Sequence, residues 1–482
     1  MRGIISSAGY LPHWRLQRPA IAAVLGGSAG KGTRTVASFD EDATTLAVEA
    51  SRRALRGAGA DVTSVWFATT SPTYMEKTNA TVLHAALRLP ATAPAADAAG
   101  ALRGTNAALR AALRSTETGV LVAAGDVRTG PAGSSDERDG GDAGAAVLVG
   151  DADATGLVAE FLGTGSATRE FLDRWRVPGE LRTRAWEERF GQQRYDDLAG
   201  RAFESALADA GLEAAQVARV AISAPHARAG AALAKRLGAA GVEVADALGA
   251  TVGFTGAAHP LLLLARLLED AAEGQVVALV ALADGADVFL FRRTAAPLAV
   301  PTVGDQLDGG DDSLPYAKYL SWRGVLPVQP PNRPEPARMS ASAAERRLDW
   351  KYGFVGSADR ESGALHLPPS RVSFVGGNVD DMDPAPMADV PATVATFTVD
   401  SLAYSPSPPV VFAVCDFEGG GRLPMELTDT TAAEVSIGMP VEMTFRRLNA
   451  ADGIANYFWK ARPVRSGPVA GATAAATVEG GQ

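Results

Sequence analysis

Cysteine is almost absent: Cys415 is the one thiol in 482 residues. A lone thiol excludes a disulfide framework and any Cys-rich metal site. Aromatic residues are also few, at 6%, whereas glycine is plentiful at 51. With Ala-rich helical stretches, that composition reads as an α/β protein packed through small residues. Long apolar runs are missing too. The most apolar stretch, HPLLLLARLLEDAAEG, is broken by Arg266, well short of the roughly 20 apolar residues that a membrane span needs. The opening residues, MRGIISSAGYLPHWRLQRP, lack the apolar core and cleavage site of a signal peptide. Basic residues are outnumbered, 45 against 55 acidic, for a net charge of −10. This balance argues against a nucleic-acid surface or a polybasic membrane face. The expectation is a soluble, cytoplasmic protein with neither nucleic acid nor membrane as partner.

Core-forming residues are ample. Hydrophobic residues make up 47% and charged residues 21%, which rules out general disorder. The length suggests roughly two to four domains. Up to about residue 295 helical and strand patterns alternate. TTLAVEASRRALRGAG, from Thr44 to Gly59, has helical apolar spacing and ends at glycine; VWFATTSP follows as a strand stopped by proline. GTNAALRAALRSTETG is a second helix, followed by the buried strands VLVAAGD and AAVLVGD. The order points to a layered α/β sheet.

An internal repeat supports that reading. ALRGAGADVTSVWFATTSP, from Ala54, and ALADAGLEAAQVARVAISAP, from Ala206, both run helix, AG turn, polar connector, strand, proline. VLVAAGD with AAVLVGD then corresponds to VVALVALADGADVFLF. Two related halves imply a pseudo-two-fold axis and a site at their junction. Residues 296–340 are rich in Pro, Gly and Asp, as a surface linker is, with a packed piece, YAKYLSWRG, inside them. Residues 341–466 begin with AERRLDWKYGF, a short helix or turn. Then come five short alternating strands, from TVATFTVDSLAY to NYFWKARPV, which fit a small all-β barrel. Residues 467–482 read as a mobile tail.

The first 295 residues resemble the thiolase superfamily, in its branch of hydroxymethylglutaryl-CoA synthases and ketoacyl synthase III enzymes. The resemblance rests on the duplicated halves and on GIISSAGYLPHWRL, FDEDATTLAVEASRRAL, TSPTY, ADAAGALRGTNAALRAAL and GFTGAAHPLLLLARLL. Residues 341–466 resemble the zinc-ribbon and OB-fold proteins that accompany thiolases, through KYGFVGS, SGALHLPPSRV, IGMPVEMTFRRL and NYFWKARP. The implied fold is a duplicated, layered α/β thiolase domain followed by a small OB-fold barrel. The implied assembly is a homodimer, and the implied ligand is an acyl-CoA whose pantetheine reaches the junction of the halves, with no other cofactor.

The chemistry-bearing positions depart from the family. Its nucleophilic Cys falls at Leu102, in the segment Asp97 to Gly104; leucine has no lone pair to attack a thioester. Its general-base Glu falls at Thr70, its His at Ser223, and its Asn near Val252. Together these losses remove the covalent acyl-transfer route. The polar candidates left are His259 in GFTGAAHP, His226 on the loop after Ser223, and Tyr74 in TSPTY. These three are the candidate catalytic residues, each weighed against a packing role. Asp284 and Asp287 read as shapers of the ADGAD turn, and His13, His84 and His366 as surface or fold residues. The ribbon's four cysteine positions fall at Asp359, Ser362, Ser373 and Gly376, which cannot form a thiolate tetrahedron. No metal is expected, and packing around Leu365, His366, Leu367 and Pro368 is expected to hold the ribbon. The acidic runs DERDGGD and GDQLDGGDD read as solvated loops rather than calcium sites.

Three functions come into question. The first is an aldolase-like, non-covalent cleavage or formation of a C–C bond in a β-hydroxyacyl-CoA. The second is a catalytically silent partner that binds acyl-CoA or docks a true thiolase, synthase or dehydratase. The third is a conventional hydroxymethylglutaryl-CoA synthase-like acyltransferase, which Leu102 contradicts. A silent partner predicts a junction filled by Leu102 and Arg103, whereas a lyase predicts an open pocket onto which His226, His259 or Tyr74 converge.

Overall fold

The computed structural model describes residues 1–28, 30–153 and 155–464. The tail expected at 467–482 lies outside the described residues.

Strong start and stop signals define the helix Ala43–Leu55. The Asp42 side chain accepts from the Thr45 amide, the Thr45 hydroxyl answers at the Asp42 amide, and Arg52 and Arg53 occupy the last turn. Alternation builds the strands. In Ala143–Asp151, Ala146 and Leu148 pack toward that helix, whereas Val147 and Val149 join the helices Gly104–Arg114 and His259–Asp270 on the other face. In Gly285–Arg293, Val288 and Leu290 face the helix Glu188–Ala210, and Phe289 and Phe291 face the central pair of helices. Small residues make this layering close. A Cβ on Gly125 would strike the Ala43 carbonyl, and one on Gly165 would strike the Ala202 carbonyl.

Ten strands form one sheet. Their order in space is Glu243–Val244, Val217–Ser223, Val276–Leu282, Gly285–Arg293, Ala159–Thr168, Arg2–Tyr10, Ala143–Asp151, Val120–Asp126, Ser64–Thr69, Ala95–Ala99. Read from either edge, the first two pairings are parallel and the third is antiparallel. The halves meet where Gly3 and Ile4 pair with Glu160 and Ala159. The repeat read from sequence is thus the sheet's own symmetry.

Residues 296–340 differ from a surface linker in their first part. Val303–Asp308 and Tyr316–Trp322 are helices, and Val303, Leu314, Tyr316 and Tyr319 are buried against the α/β domain. Their apolar side chains cover ground that the Pro- and Asp-rich text around them obscures.

The barrel has five antiparallel strands in the order Arg422–Glu426, Val410–Phe417, Ala392–Asp400, Pro440–Ala451, Ile454–Pro463. A bridge between Leu427 and Ala461 closes it. The three-stranded ribbon, Leu365–His366, Val355–Asp359, Met382–Pro386, sits beside it. One continuous apolar cluster joins barrel and α/β domain, running from Leu46 and Tyr10 to Phe445 and Trp459.

Charge runs through this seam. Each residue of Phe39–Asp42 engages the barrel: the Phe39 ring lies 5.1 Å from Lys460 Nζ, Asp40 pairs with Lys460 at 3.0 Å, Glu41 with Arg446 at 2.5 Å, and Asp42 accepts from the Tyr457 hydroxyl at 2.7 Å. Glu49 accepts from the Phe445 amide and pairs with Arg52. No described helix is long and apolar enough to cross a membrane.

Candidate functional site

Leu102 lies in the turn after the edge strand Ala95–Ala99, just before the helix Gly104–Arg114. It is partly exposed. The next residue does the distinctive work. Arg103 crosses from the first half to the second. Its Nε donates to Asp287 Oδ2 at 2.8 Å, and its terminal nitrogens reach the Thr168 hydroxyl at 2.8 Å, the Ser166 hydroxyl at 2.9 Å and the Asp284 carbonyl at 3.2 Å. Arg110, two turns along the same helix, donates to Asp287 Oδ1 at 2.8 Å. Burial opposes ionisation of Asp287. Hydrogen bonds from Arg103 and Ser166, with the charges of Arg103 and Arg110, outweigh it and hold the carboxyl below the usual range. Asp287 therefore corrects its reading as a turn residue: it is buried within a strand, opposite Ala281.

The position expected for a general base is also structural. Asp126 ends a central strand and is fully buried. It accepts from Thr69 Oγ1, Thr70 N, Thr70 Oγ1, Ser71 Oγ and Ala257 N, all between 2.6 and 2.9 Å. Thr70 Oγ1 accepts in turn from Arg128, and the Thr70 carbonyl from Arg176. The hub ties the end of strand Ser64–Thr69 to the turn that precedes His259.

His259 opens a central helix and is 3% exposed. Its Nδ1 lies 3.2 Å from the Thr255 hydroxyl, and its ring lies 4.9 Å from that of Phe254. Burial pushes its pKa down to about 3, so the imidazole is neutral at physiological pH.

His226 caps the helix Ala227–Ala239, its Nδ1 accepting from the Ala229 amide at 3.1 Å. It faces the Tyr195 ring edge-on at 6.1 Å. The Tyr195 hydroxyl donates to Asp173 at 3.2 Å and accepts from the Asp284 amide at 3.3 Å. Burial raises the pKa of Asp173 against the pull of His226, and burial with the charge of Asp173 raises that of Asp284. Gly191 allows this approach; a Cβ there would lie 2.5 Å from Asp173 and 3.2 Å from His226.

Tyr74 belongs to the domain seam. Its hydroxyl accepts from the Ala455 amide of the barrel at 2.9 Å, and its ring carries Lys77 at 5.7 Å. Among the described residues, no hydrogen bond or ring contact joins any two of His226, His259 and Tyr74. Three prominent cavities among the described residues lie away from Leu102: one of about 750 Å³ between ribbon and barrel, one of about 110 Å³ at the seam near Trp14 and Trp322, and one of about 620 Å³ over Thr73–Lys77. Sequence reasoning missed Asp126, Asp173 and Tyr195 as hubs, because none stands in a recognisable motif. Arg103 carried a signal: a long cation directly after Leu102, where the resemblance expects a nucleophile.

Comparison with known proteins fits this geometry. The family described as ChsH2, C-terminal OB-fold domain, matches residues 386–446. The hydroxymethylglutaryl-CoA synthase of Pyrobaculum aerophilum is 28% identical over 346 residues, covering 67% of this chain and 98% of the relative. That of Methanocaldococcus jannaschii is 31% identical over 194 residues, covering 37% of this chain and 55% of the relative. Among solved structures, 3-oxoacyl-(acyl carrier protein) synthase III of Pseudomonas aeruginosa superposes with a TM-score of 0.53 at 22% identity, over 62% of this chain and 99% of that one. A hydroxymethylglutaryl-CoA synthase complexed with CoA gives 0.54 at 18%, over 66% and 89%. The chain therefore has a thiolase fold of the hydroxymethylglutaryl-CoA synthase and ketoacyl synthase III type, followed by an OB-fold domain.

Proposed function

We propose that this chain is a catalytically silent thiolase-fold partner. It takes up an acyl-CoA without covalent chemistry, or docks a true thiolase or synthase, and carries its OB domain as a rigid attachment. One observation carries the reading. The Arg103 guanidinium spans the junction beside Leu102 and is spent on Asp287, Ser166, Thr168 and the Asp284 carbonyl. A thioester reaching that point would meet a hydrocarbon side chain and a cation already bonded to the opposite half. Covalent catalysis needs an activated nucleophile with a base in reach, and Thr70 is committed to Asp126 instead. The edge strand Ala95–Ala99 supplies the surface through which folds of this type pair, in a homodimer or with an active relative.

The test is incubation of the purified protein with acetyl-CoA and with β-hydroxyacyl-CoAs. The expected results are no acyl adduct by intact-mass spectrometry, no free CoA and no carbonyl product. A stable adduct or a released carbonyl compound refutes the reading.

A second reading rests on the cluster around His226. There a base removes the proton of a β-hydroxyl, the C–C bond breaks to release a carbonyl compound, and the resulting thioester enolate takes a proton back. Asp173 is the base, with Tyr195 beside it, and His226, whose Nδ1 is taken by its helix cap, presents its Nε2–H as the donor toward the developing oxyanion. If a carbonyl product appears and His226→Gln abolishes it while His259→Gln does not, this reading replaces the first.

A further inference from the structure

The segment from Asp359 to Asn378 keeps the backbone of a paired metal knuckle without its metal-binding side chains. Asp359-Arg360-Glu361-Ser362-Gly363 and Ser373-Phe374-Val375-Gly376-Gly377 each place two positions three residues apart, ahead of a glycine. Gly363 and Gly377 both adopt left-handed backbone, with φ of 70° and 76°. The Gly363 amide folds back onto the Asp359 carbonyl at 2.7 Å. In a zinc ribbon the four ligand positions carry thiolates that close a tetrahedron. Here they carry one carboxylate, two hydroxyls and a glycine with no donor atom.

The donor set also fails on geometry. Ser362 Oγ donates to Asp359 Oδ2 at 2.5 Å. Asn378 Nδ2 and the Glu361 amide donate to Oδ1 at 3.0 and 3.1 Å. Asn378 directly follows the second knuckle, and Ser373 within it helps to hold the same carboxylate ionised. The oxygens that could face a cation are thus filled by donors from the first knuckle and from Asn378 beside the second. Among the described residues no group of three His, Cys, Asp or Glu side chains is arranged to hold a metal ion.

We infer that the Asp359 carboxylate takes the place of the metal: it is a hydrogen-bonded pin that joins the two knuckles, so the ribbon folds without zinc. Asn378 is the second half of the pin. Its side chain also donates to Glu361 at 2.7 Å, and its carbonyl accepts from the Ser373 amide at 2.8 Å. Hydrogen bonds from Ser362, Asn378 and Ser373 hold the Asp359 carboxyl well below the usual range, so it accepts as a full anion. The His366 ring meets Phe374 edge-on at 4.5 Å. That contact lines the outer groove and leaves the knuckles to the pin. The ribbon and the barrel it leans on are thereby independent of zinc supply and of thiol oxidation.

The test uses the full chain, expressed in zinc-supplemented medium. Elemental analysis is expected to find far less than one zinc per chain, and excess EDTA is expected to leave the melting temperature unchanged. Hydrogen exchange is then compared for wild type, Asp359→Asn and Asn378→Ala. Exchange across residues 359–378 is expected to quicken roughly ten-fold in either variant, with the α/β sheet unchanged. Near-stoichiometric zinc that survives dialysis, a melting temperature lowered by EDTA, or unchanged exchange in both variants overturns the proposal.

Discussion

Arg446→Met tests how the two domains are joined. The guanidinium is fully buried on the barrel strand Pro440–Ala451. It pairs with Glu41 at 2.5 Å, Asp429 at 2.7 Å and Asp40 at 3.5 Å, and donates to the Tyr10 hydroxyl at 3.1 Å. Methionine fills part of the volume but removes the cation that three buried carboxylates share. Breaking a buried ion pair from one side costs about 3–5 kcal/mol. Lys460, 3.0 Å from Asp40, and Arg462, which also acts on Asp429, remain, so about 3 kcal/mol is the expected loss near pH 7.5. The pH dependence sharpens the test. Burial, against the pull of Arg446, already raises Glu41 from 4.5 to about 7. A carboxyl raised in this way favours the folded state below pH 4.5, and that contribution is lost as pH rises through about 7. Without Arg446 the repulsion is therefore worst at high pH and eases as Glu41 takes up its proton. Urea unfolding followed by tryptophan fluorescence reads both effects. A loss below about 1 kcal/mol at pH 7.5, or one that grows on acidification, refutes the reasoning.

Three further outcomes are expected. His259 is buried neutral with a pKa near 3 against an ordinary 6.5, so its contribution to stability is complete above pH 6.5 and lost as pH falls toward 3. His259→Gln should reduce the acid-side slope of stability by up to about 1.4 kcal/mol per pH unit, read from urea midpoints between pH 6.5 and 4; an unchanged slope contradicts it. Cys415 is fully buried, and burial with the neighbouring Asp416 pushes its thiol up to about 12. It should react with a disulfide reagent only after unfolding, and rapid labelling of the native protein would show the barrel core to be open. Asp287→Ala strands the guanidinium groups of Arg103 and Arg110 in a partly buried setting and should cost about 2–3 kcal/mol; a loss within 0.5 kcal/mol, about the scatter of surface substitutions, would mean that the clamp is ornamental.

Elements with a period were legible in the sequence. The repeat at Ala54 and Ala206 became the symmetric sheet, and the alternating strands after Ala392 became the barrel, because period and turn residues are local signals. Long-range polar partnerships were not legible. Asp126 meets Ala257 across 131 residues, and Arg103 meets Asp287 across 184; nothing local in either text announces the other. Tyr74 shows the same limit from the opposite side. Its place at a strand end suggested a site rim, but its hydroxyl is claimed by a barrel amide 381 residues away. The helix at Val303–Asp308 was hidden for a simpler reason: its short, Asp- and Gly-rich text carries turn chemistry, and only burial of Val303 in the core reveals it.

The resemblance places a thiolate at Leu102, a general base at Thr70 and a metal between the knuckles, and near all three positions there is a carboxylate hub: Asp287, Asp126 and Asp359. A buried polar network is costly when half satisfied, so loss of a reactive group without replacement would leave stranded donors at these points. Instead Asp126 gathers five donors, and Asp287 binds two guanidinium groups. Asp359 draws donors from Glu361, Ser362 and Asn378. Each hub ties together backbone segments that stand apart in sequence. Under the proposed reading, such a pattern preserves surfaces and domain geometry. Under the proposed silent-partner reading, the Arg103 clamp at the junction and the hydrogen-bonded ribbon serve the same kind of function although they lie in different domains.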